Sequence, residues 1–478
     1  MPMRIVLVNP VARDCEGYHT IGTRIPQLGL QVLARLVPEP HTVEIIDEIF
    51  GLDATERLLT PQRYDLVGMT GYTSGATRAY ELAALCRERG LPCIMGGPHA
   101  SAVPDEAAAH FDSVAVGECD TIWPQIIADA AAGRLQKRYE GRLADLTGAM
   151  GAAAQELQPV NGRYTCSCIQ TSRGCPVGCD YCSVTRFNGN TIRRRPIDAV
   201  IDEWNRTTSR FLFVVDDNFY GVGPKHAEWA KEFLREVKKR GKRRLWFSQT
   251  SINMGADAEG LRLAYEAGCR CMLVGLESFN PETLKNMHKG LNLKLVDRYR
   301  DLVAGFHKAG IAVLGCFVIG ADEDDESTVA DTALKAVELG IDIIQITNLT
   351  PLPGTRLYDR FLEQGRIDAT DYPKDWERYT FIETVYRPTR MTAQRLDETI
   401  YELRRAAARE NWVWKRTLRT LWRTRSLSTA AFVHGMNRAW VGLARGLESR
   451  DKKHFAHVPD EGPRVDLIRR AFAMRSSD

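Results

Sequence analysis

Three cysteines fall within eight positions of one short segment, "TSRGCPVGCDYCSV", residues 171–184. Cys175, Cys179 and Cys182 follow the spacing C-x3-C-x2-C, with Tyr181 just before the last. Four chemistries use thiols set this closely. Disulfides belong to oxidising compartments, and the opening "MPMRIVLVNPV" has too short an apolar run for a secretory leader. Zinc takes four ligands, commonly as paired C-x2-C. Only Cys179 and Cys182 have that spacing, so Cys166 or Cys168 would have to complete the set. Inert buried thiols pack as small hydrophobes, although a Gly/Pro-rich loop is an odd place for three. An iron–sulfur cluster suits thiolates, and glycine amides can come close to its sulfides. Three cysteines on a four-iron cluster would leave one iron without a protein ligand, like the open position of a catalytic metal.

The elements around the loop are those of a parallel sheet. Apolar runs recur at helix-plus-strand intervals: "YTCSCIQ" (164–170), "FLFVVDD" (211–217), "RLWFSQT" (244–250), "CMLVGLES" (271–278), "IAVLGCFVIG" (311–320) and "IDIIQITN" (341–348). Between them lie amphipathic segments such as "PKHAEWAKEFLREVKKRG", opening on Pro and closing on Gly as helices do. Continuous apolar strands alternating with helices predict a covered parallel sheet, and six units suit an open barrel. Ligands of such folds meet the carboxyl ends of the strands. Polar residues gather there: Asp216, Asp217 and Asn218; Gln249 and Ser251; Glu277 and Ser278; Gly320; Thr347 and Asn348. Each alone reads as solvation or capping; together they predict a rim.

With that context, the cysteine motif resembles the signature of radical SAM enzymes, and "VDDNF", "VGLESFNPETL", "CFVIGADEDD" and "LTPLPGTRLY" resemble the later strands of their barrels. The resemblance implies a [4Fe–4S] cluster on Cys175, Cys179 and Cys182, whose free iron chelates S-adenosylmethionine (SAM). Reductive cleavage then yields a 5′-deoxyadenosyl radical, the electron coming from an external flavodoxin- or ferredoxin-type donor. It further implies that Tyr181 presents backbone to the adenine, that Gln249 and Glu277 contact the ribose or methionine moiety, that "CFVIG", ending at Gly320, lines the adenine pocket, and that Asp216 belongs to the cofactor site. No Gly-Gly-Glu, the usual amine-binding element, follows the second strand.

The first 140 residues have their own βα rhythm. Strands read "RIVLVN" (4–9), "TVEIID" (42–47), "DLVGMT" (65–70), "PCIMGG" (92–97) and "DSVAVG" (112–117); helices read "PQLGLQVLARLV", "ATRAYELAALCRERG" and "DTIWPQIIADAAAG". This is a doubly wound, Rossmann-like pattern of ordinary domain size. No G-x-G-x-x-G opens the first helix, which disfavours a dinucleotide. "RIPQLGLQVLARLV", "GGPHAS" and "VGECDTIWPQI" resemble the cobalamin-binding domain that precedes many radical SAM barrels. The resemblance implies a corrinoid held by Thr70, Gly71, Tyr72 and Ser74, by Gly96, Gly97 and His99, and by Gly117 and Glu118. The D-x-H-x-x-G cobalt-ligating motif is missing. The lower axial position is thereby left to water, to nothing, or to a side chain such as His99, for which a backbone-bonded turn residue is the plain alternative.

Net charge is +3, with 44% apolar and 26% charged residues, so nucleic acid is not an expected partner. No apolar run reaches the ~18 residues of a membrane span. The expected division is a cobalamin-binding domain (1–140), a linker (141–160), a partial (β/α)6 barrel (161–365) and a helical C-terminal region (366–478). The first part of that region is expected over the barrel mouth. Residues 411–450 hold one lysine and seven arginines against Glu448 alone, with Trp412, Trp414, Trp422 and Trp440 among them. Such helices can lie on a membrane surface, cover a channel, dock a partner, or simply be core helices with a solvated basic face. At a membrane they would deliver a lipid-like substrate to the barrel mouth. The other cysteines, Cys86, Cys166, Cys168, Cys269, Cys271 and Cys316, read as small hydrophobes.

Two radical chemistries fit. One is methylation of an unactivated carbon of a small-molecule or lipid-like intermediate, with cobalamin carrying the methyl group. The other is oxidative cyclisation, ring rearrangement or carbon–carbon coupling without methyl transfer, as in the group of the anaerobic porphyrin cyclase. tRNA methylthiolation is disfavoured, since Cys15, Cys86, Cys93 and Cys119 are too scattered for a second cluster. The expected location is cytoplasmic, with contact to the inner membrane through the tail.

Overall fold

A computed structural model of the chain describes residues 2–11, 24–51, 54–61, 63–147, 150–407 and 409–454, with 442–454 as backbone alone. Cys15 lies outside them. The first sheet is β1 (Arg4–Asn9), β2 (Thr42–Asp47), β3 (Leu66–Thr70), β4 (Cys93–Gly96), β5 (Ser113–Val116) and β6 (Arg138–Glu140), all parallel, in the order β2-β1-β3-β4-β5-β6. The order reverses at β1/β3, the switch point where doubly wound sheets take ligands. The sequence reading did not include β6: "RYE" is short and charged, and it forms a strand because it continues the edge beyond β5. Helices α1 (Leu28–Arg35), α2 (Ala76–Glu88), α3 (Pro104–His110) and α4 (Trp123–Ala131) cover the two faces.

The second sheet is β7 (Ser167–Ile169), β8 (Phe211–Val214), β9 (Leu245–Thr250), β10 (Cys269–Glu277), β11 (Ala312–Ile319) and β12 (Ile343–Asn348). All neighbours are parallel and the order is sequential, the open six-stranded barrel expected. The strand period of two divides its side chains. Leu212, Val214, Trp246, Met272, Val274 and Val313 face outward into the main core beneath the helices, which include α5 (Pro224–Arg240) and α6 (Glu326–Leu339). Phe211, Phe213, Phe247, Cys271, Leu273 and Leu314 face the concave side.

The C-terminal region reaches both domains. Tyr386 and Thr384 pack on the carboxyl-end rim of the barrel, at Gly320 and Asn348. Ala369, Trp376, Tyr379 and Val385 join the core of the N-terminal domain, and Trp376 Nε1 donates to Glu106 on α3 (2.9 Å). Helix α7 (Ala393–Ala407) packs outside the barrel: Leu396, Ile400 and Leu403 enter the main core. Helices α8 (Glu410–Thr424) and α9 (Leu427–His454) form a hairpin at the amino ends of the strands. There Phe432 of α9 meets Phe211 and Phe247 from the concave side (ring centroids 5.3 and 5.8 Å apart), and Thr420 of α8 bonds Asp342, just ahead of β12. The hairpin therefore closes the barrel floor, opposite the rim to which a substrate was expected to be delivered. Among the described residues, no helix is long and apolar enough to cross a membrane.

Candidate functional site: a cavity between two domains

The cysteine loop leaves β7 and is tied at both ends. Upstream, the Asp216 carboxylate accepts from the backbone N–H and the hydroxyl of both Thr171 and Ser172. Asp217 accepts the Gly174 N–H (2.7 Å) and the Asn188 amide (3.0 Å). Downstream, buried Asp180 receives Arg356 Nε and Arg360 Nη1, each at 2.9 Å, and stands 3.0 Å from His288 Nδ1. Three carboxylates thus hold the loop through charge-assisted hydrogen bonds, the strong kind.

Within it Cys175, Cys179 and Cys182 are free thiols, close enough to feel one another's charge. Burial pushes all three up, Cys182 to about 12, and the Lys289 ammonium pulls them back. A metal displaces such protons when it binds. Among the described residues no three His, Cys, Asp or Glu side chains converge on a single-ion site. Three thiols on one firmly tied loop match the thiolate donors of an iron–sulfur cluster and fall one short of the four ligands of a closed zinc site.

Lys289 pairs with Glu277 (Nζ–Oε1 2.7 Å); the carboxylate is buried and 13% of the lysine side chain is exposed. The pairing of β10 with β11 shifts register between Gly275 and Glu277, and Glu277 adopts φ 66°. Bulges of this kind re-aim a side chain. A Cβ at Gly275 would stand 2.4 Å from the returning carboxylate, so only glycine leaves room for it. Lys289 was not singled out in the sequence. The signal was present, in an uncompensated Glu277 with "HKG" one short helix downstream.

Between the domains lies a cavity of about 540 Å³. The strand ends of the first sheet form one wall: Thr70, Tyr72, Gly96, Gly97, Gly117 and Glu118. Phe213, Val215, Asp217 and Gln249 of the barrel form the other. Gly97 has φ +91°, and a Cβ there would lie 2.6 Å from Thr70 Oγ1. The wall is cut back to backbone, as a bulky flat ligand requires. Tyr72 keeps 61% of its surface accessible beside this space. These residues fit a corrinoid, and Asp217, which holds the N–H of Gly174, brings the cluster loop to the cavity's edge.

The expected residues thus divide. Thr70, Tyr72, Gly96, Gly97, Gly117, Glu118 and Gln249 share the cavity, while Tyr181, Glu277 and the three cysteines gather around Lys289. Five stand apart from both groups. Asp216 is fully buried, and its oxygens are taken by Thr171 and Ser172, so what it does in this structure is shape the loop. Gly320 lies under Tyr386, whose hydroxyl donates to its carbonyl. His99 is buried away from the cavity lining, with Nε2 3.0 Å from the Tyr80 hydroxyl and its ring edge-on to Trp376. It is not presented to a ligand from below. Gly71 and Ser74 are outside the lining, Gly71 accepting the His99 N–H (3.1 Å). The rest of the rim is likewise bonded internally: Asn218 to Ser251 (2.7 Å), and Asn348 to Thr384 (3.0 Å) and Asp397 (2.7 Å).

Residues 169–333 match the Radical SAM superfamily, and residues 18–127 the B12 binding domain. Over 422 residues the chain is 30% identical to the bacteriochlorophyllide d C-8(2)-methyltransferase of Chlorobaculum tepidum, covering 84% of this chain and 88% of that protein. It is 27% identical to the hopanoid C-2 methylase of Rhodopseudomonas palustris, over 73% of this chain and 66% of that one. Its fold is shared with OxsB, a cobalamin-dependent SAM radical enzyme solved with aqua-cobalamin and SAM bound (TM-score 0.65, 12% identity, 98% of this chain and 79% of that one). With a glycine-walled Rossmann-like domain facing a three-cysteine barrel, and a methyltransferase relative matched along most of both chains, this protein belongs to the cobalamin-dependent radical SAM methyltransferases, enzymes of [4Fe–4S], SAM and cobalamin.

Proposed function

We propose that this enzyme methylates an unactivated carbon of a small, largely apolar, ring-bearing biosynthetic intermediate, taken up in the cavity between its domains. The observation that carries this is the shared cavity: a wall suited to a corrinoid faces a wall tied to the cluster loop. The relatives' substrates, a bacteriochlorophyllide and hopanoids, support the apolar ring class. Cys175, Cys179 and Cys182 hold the cluster in this reading, with Tyr181, Glu277 and Gln249 toward SAM. Thr70, Tyr72, Gly96, Gly97 and Gly117 hold the corrinoid. When bound, the cluster and SAM supply hydrogen abstraction and the corrinoid supplies the methyl group. The chain's own residues place the two cofactors and exclude water from the space between them. The electron comes from an external flavodoxin- or ferredoxin-type donor.

The finer location is cytoplasmic, with peripheral contact to an anionic membrane through α8. Trp414, Leu418 and Trp422 recur at helical spacing on that helix and are 59%, 61% and 80% exposed; Leu427, opening α9, is 77% exposed. Trp412 and Trp440, by contrast, pack inward.

The test is anaerobic reconstitution with SAM labelled in its methyl group and a pool of apolar ring intermediates, followed by mass spectrometry. Label gained by one component supports methylation. A component that only loses hydrogen favours cyclisation or coupling.

A further inference from the structure

We propose that Arg173 and Asp120 are positioning residues, an ionic clamp that fixes the corrinoid-side loop against the cluster loop. The proposal rests on the two-cofactor reading of the cavity and goes beyond it. Asp120 follows Gly117 in the turn after β5; Arg173 stands two residues before Cys175. The Asp120 carboxylate accepts both Arg173 Nη1 and Nη2, each at 2.9 Å, a bidentate pair. Arg173 Nη1 also donates to Glu118 (3.2 Å), and Nε to Gln170 (2.8 Å). Glu118 in turn receives Arg193 (3.0 Å to Nη1) and the Ala144 N–H (2.8 Å). Glu118, Asp120 and Arg173 are all buried, and the two arginines balance the two acids.

A buried ion pair is weak evidence for stability, because desolvation offsets much of its attraction. What the bidentate fork does supply is direction, one carboxylate plane against one guanidinium plane. Domains within a chain otherwise tend to move relative to one another. Arg193 on Glu118 braces the same corrinoid-side loop from the barrel, and other ties between the two parts of the chain lie elsewhere. The Val160 N–H donates to Ile45 beside β2 (2.9 Å), Tyr164 to Asp47 (2.9 Å), and Trp376 to Glu106 on α3. The clamp joins the two cofactor-bearing loops directly. Chemistry between partners carried on separate domains is sensitive to displacements of about 1 Å. A clamp at this point limits them.

The test uses holoenzyme carrying cob(II)alamin and the reduced cluster, each with an unpaired electron, and reads their separation by pulsed EPR without any substrate. Wild type should give one narrow distance distribution. Asp120→Asn and Arg173→Lys should broaden or shift it by about 1 Å or more, while iron content and corrinoid absorption stay at wild-type levels. Arg173→Lys keeps the charge and loses the fork, so it carries the test if Asp120→Asn fails to fold. Glu48→Gln is the control. It breaks the equally buried Arg78–Glu48 pair (2.7 Å) inside the N-terminal domain and should leave the distribution narrow. Unchanged distances in both clamp variants overturn the proposal, and so does equal broadening in Glu48→Gln, which would mean general softening. A wild-type protein that takes up no corrinoid overturns the cofactor reading itself, an outcome distinct from unchanged distances.

Discussion

The two walls of the cavity are built on different principles. The N-terminal wall works by subtraction: at Gly96, Gly97 and Gly117 side chains are withheld so that backbone can face a ligand. The barrel wall, which Asp217 lines, is backed by mutual restraint: behind it Asp216, Asp180 and the Glu277–Lys289 pair mostly hold one another and the cysteine loop. A large, rigid ligand needs room, which absence provides. A reactive cluster needs its three thiols held in register, which a dense polar scaffold provides. The walls should therefore fail differently when altered, the barrel wall abruptly and the glycine wall by degrees.

The largest effect falls on the thiols. Cys179→Ala should lose the cluster and all formation of 5′-deoxyadenosine, read by iron content and chromatography. Cys168→Ala should keep both, because Cys168 is buried beside Cys166 and away from the loop. Full iron in Cys179→Ala would break the contrast between the walls at its root.

Next is the Glu277–Lys289 ion pair. Lys289→Met leaves the Glu277 carboxylate inside without its cation, which costs roughly 3–5 kcal/mol, read as a lower urea midpoint. Adding Glu277→Gln should recover much of that loss, since a neutral amide no longer demands a counter-charge. A single variant as stable as wild type would mean the pair is not the scaffold described.

The glycine wall should yield more gently. Gly97→Val forces a branched side chain against Thr70 at a backbone angle that L-residues rarely adopt. Overpacking of this kind costs about 1–3 kcal/mol; carried into binding, that is a loss of about five- to 150-fold in corrinoid affinity. Absorption titration reads it, with cluster iron unchanged. Loss of iron together with corrinoid would show that the walls are not independent.

This difference also decides what could be read in advance. Every barrel strand was legible, because apolar runs between amphipathic helices have few other solutions, and so were the glycine turns, because strand-end glycines in a doubly wound sheet have one common use. Polar rim residues were less so. Asp216 and Gln249 look alike in sequence, yet one is sealed by Thr171 and Ser172 while the other lines the cavity. His99 sits in a motif that resembles a corrinoid loop, but its ring turns toward Trp376, nearly three hundred positions away, and only the folded chain brings that indole near. The tail was legible only in part for a related reason: composition gives its arginines and tryptophans, not which of them face inward.

The smallest effect, and the one that extends the contrast beyond the cavity, concerns that tail. The hairpin of α8 and α9 has an inner and an outer face. Inside, burial pushes the Arg416 guanidinium down to about 10, and Arg423 donates to the Gly340 carbonyl (2.9 Å). Both are half-buried and bonded inward. Outside, Trp414, Leu418, Trp422 and Leu427 stand exposed, with Lys415 and Arg425 exposed among them. Anionic lipid should be drawn to each of these two cations by roughly 1 kcal/mol, an attraction that salt screens over about 10 Å. The indoles should add a part that salt does not remove. Lys415→Gln with Arg425→Gln should thus weaken sedimentation with anionic liposomes only at low salt, whereas Trp422→Ser should weaken it at low and high salt alike. Arg416→Gln should change neither, because that side chain is spent inside the fold. Equal and negligible binding to anionic and neutral liposomes would return the outer face to ordinary solvated surface. Because the hairpin closes the strands' amino ends, membrane contact there would anchor the enzyme without opening a path to the cavity, and substrate would still enter from the opposite rim.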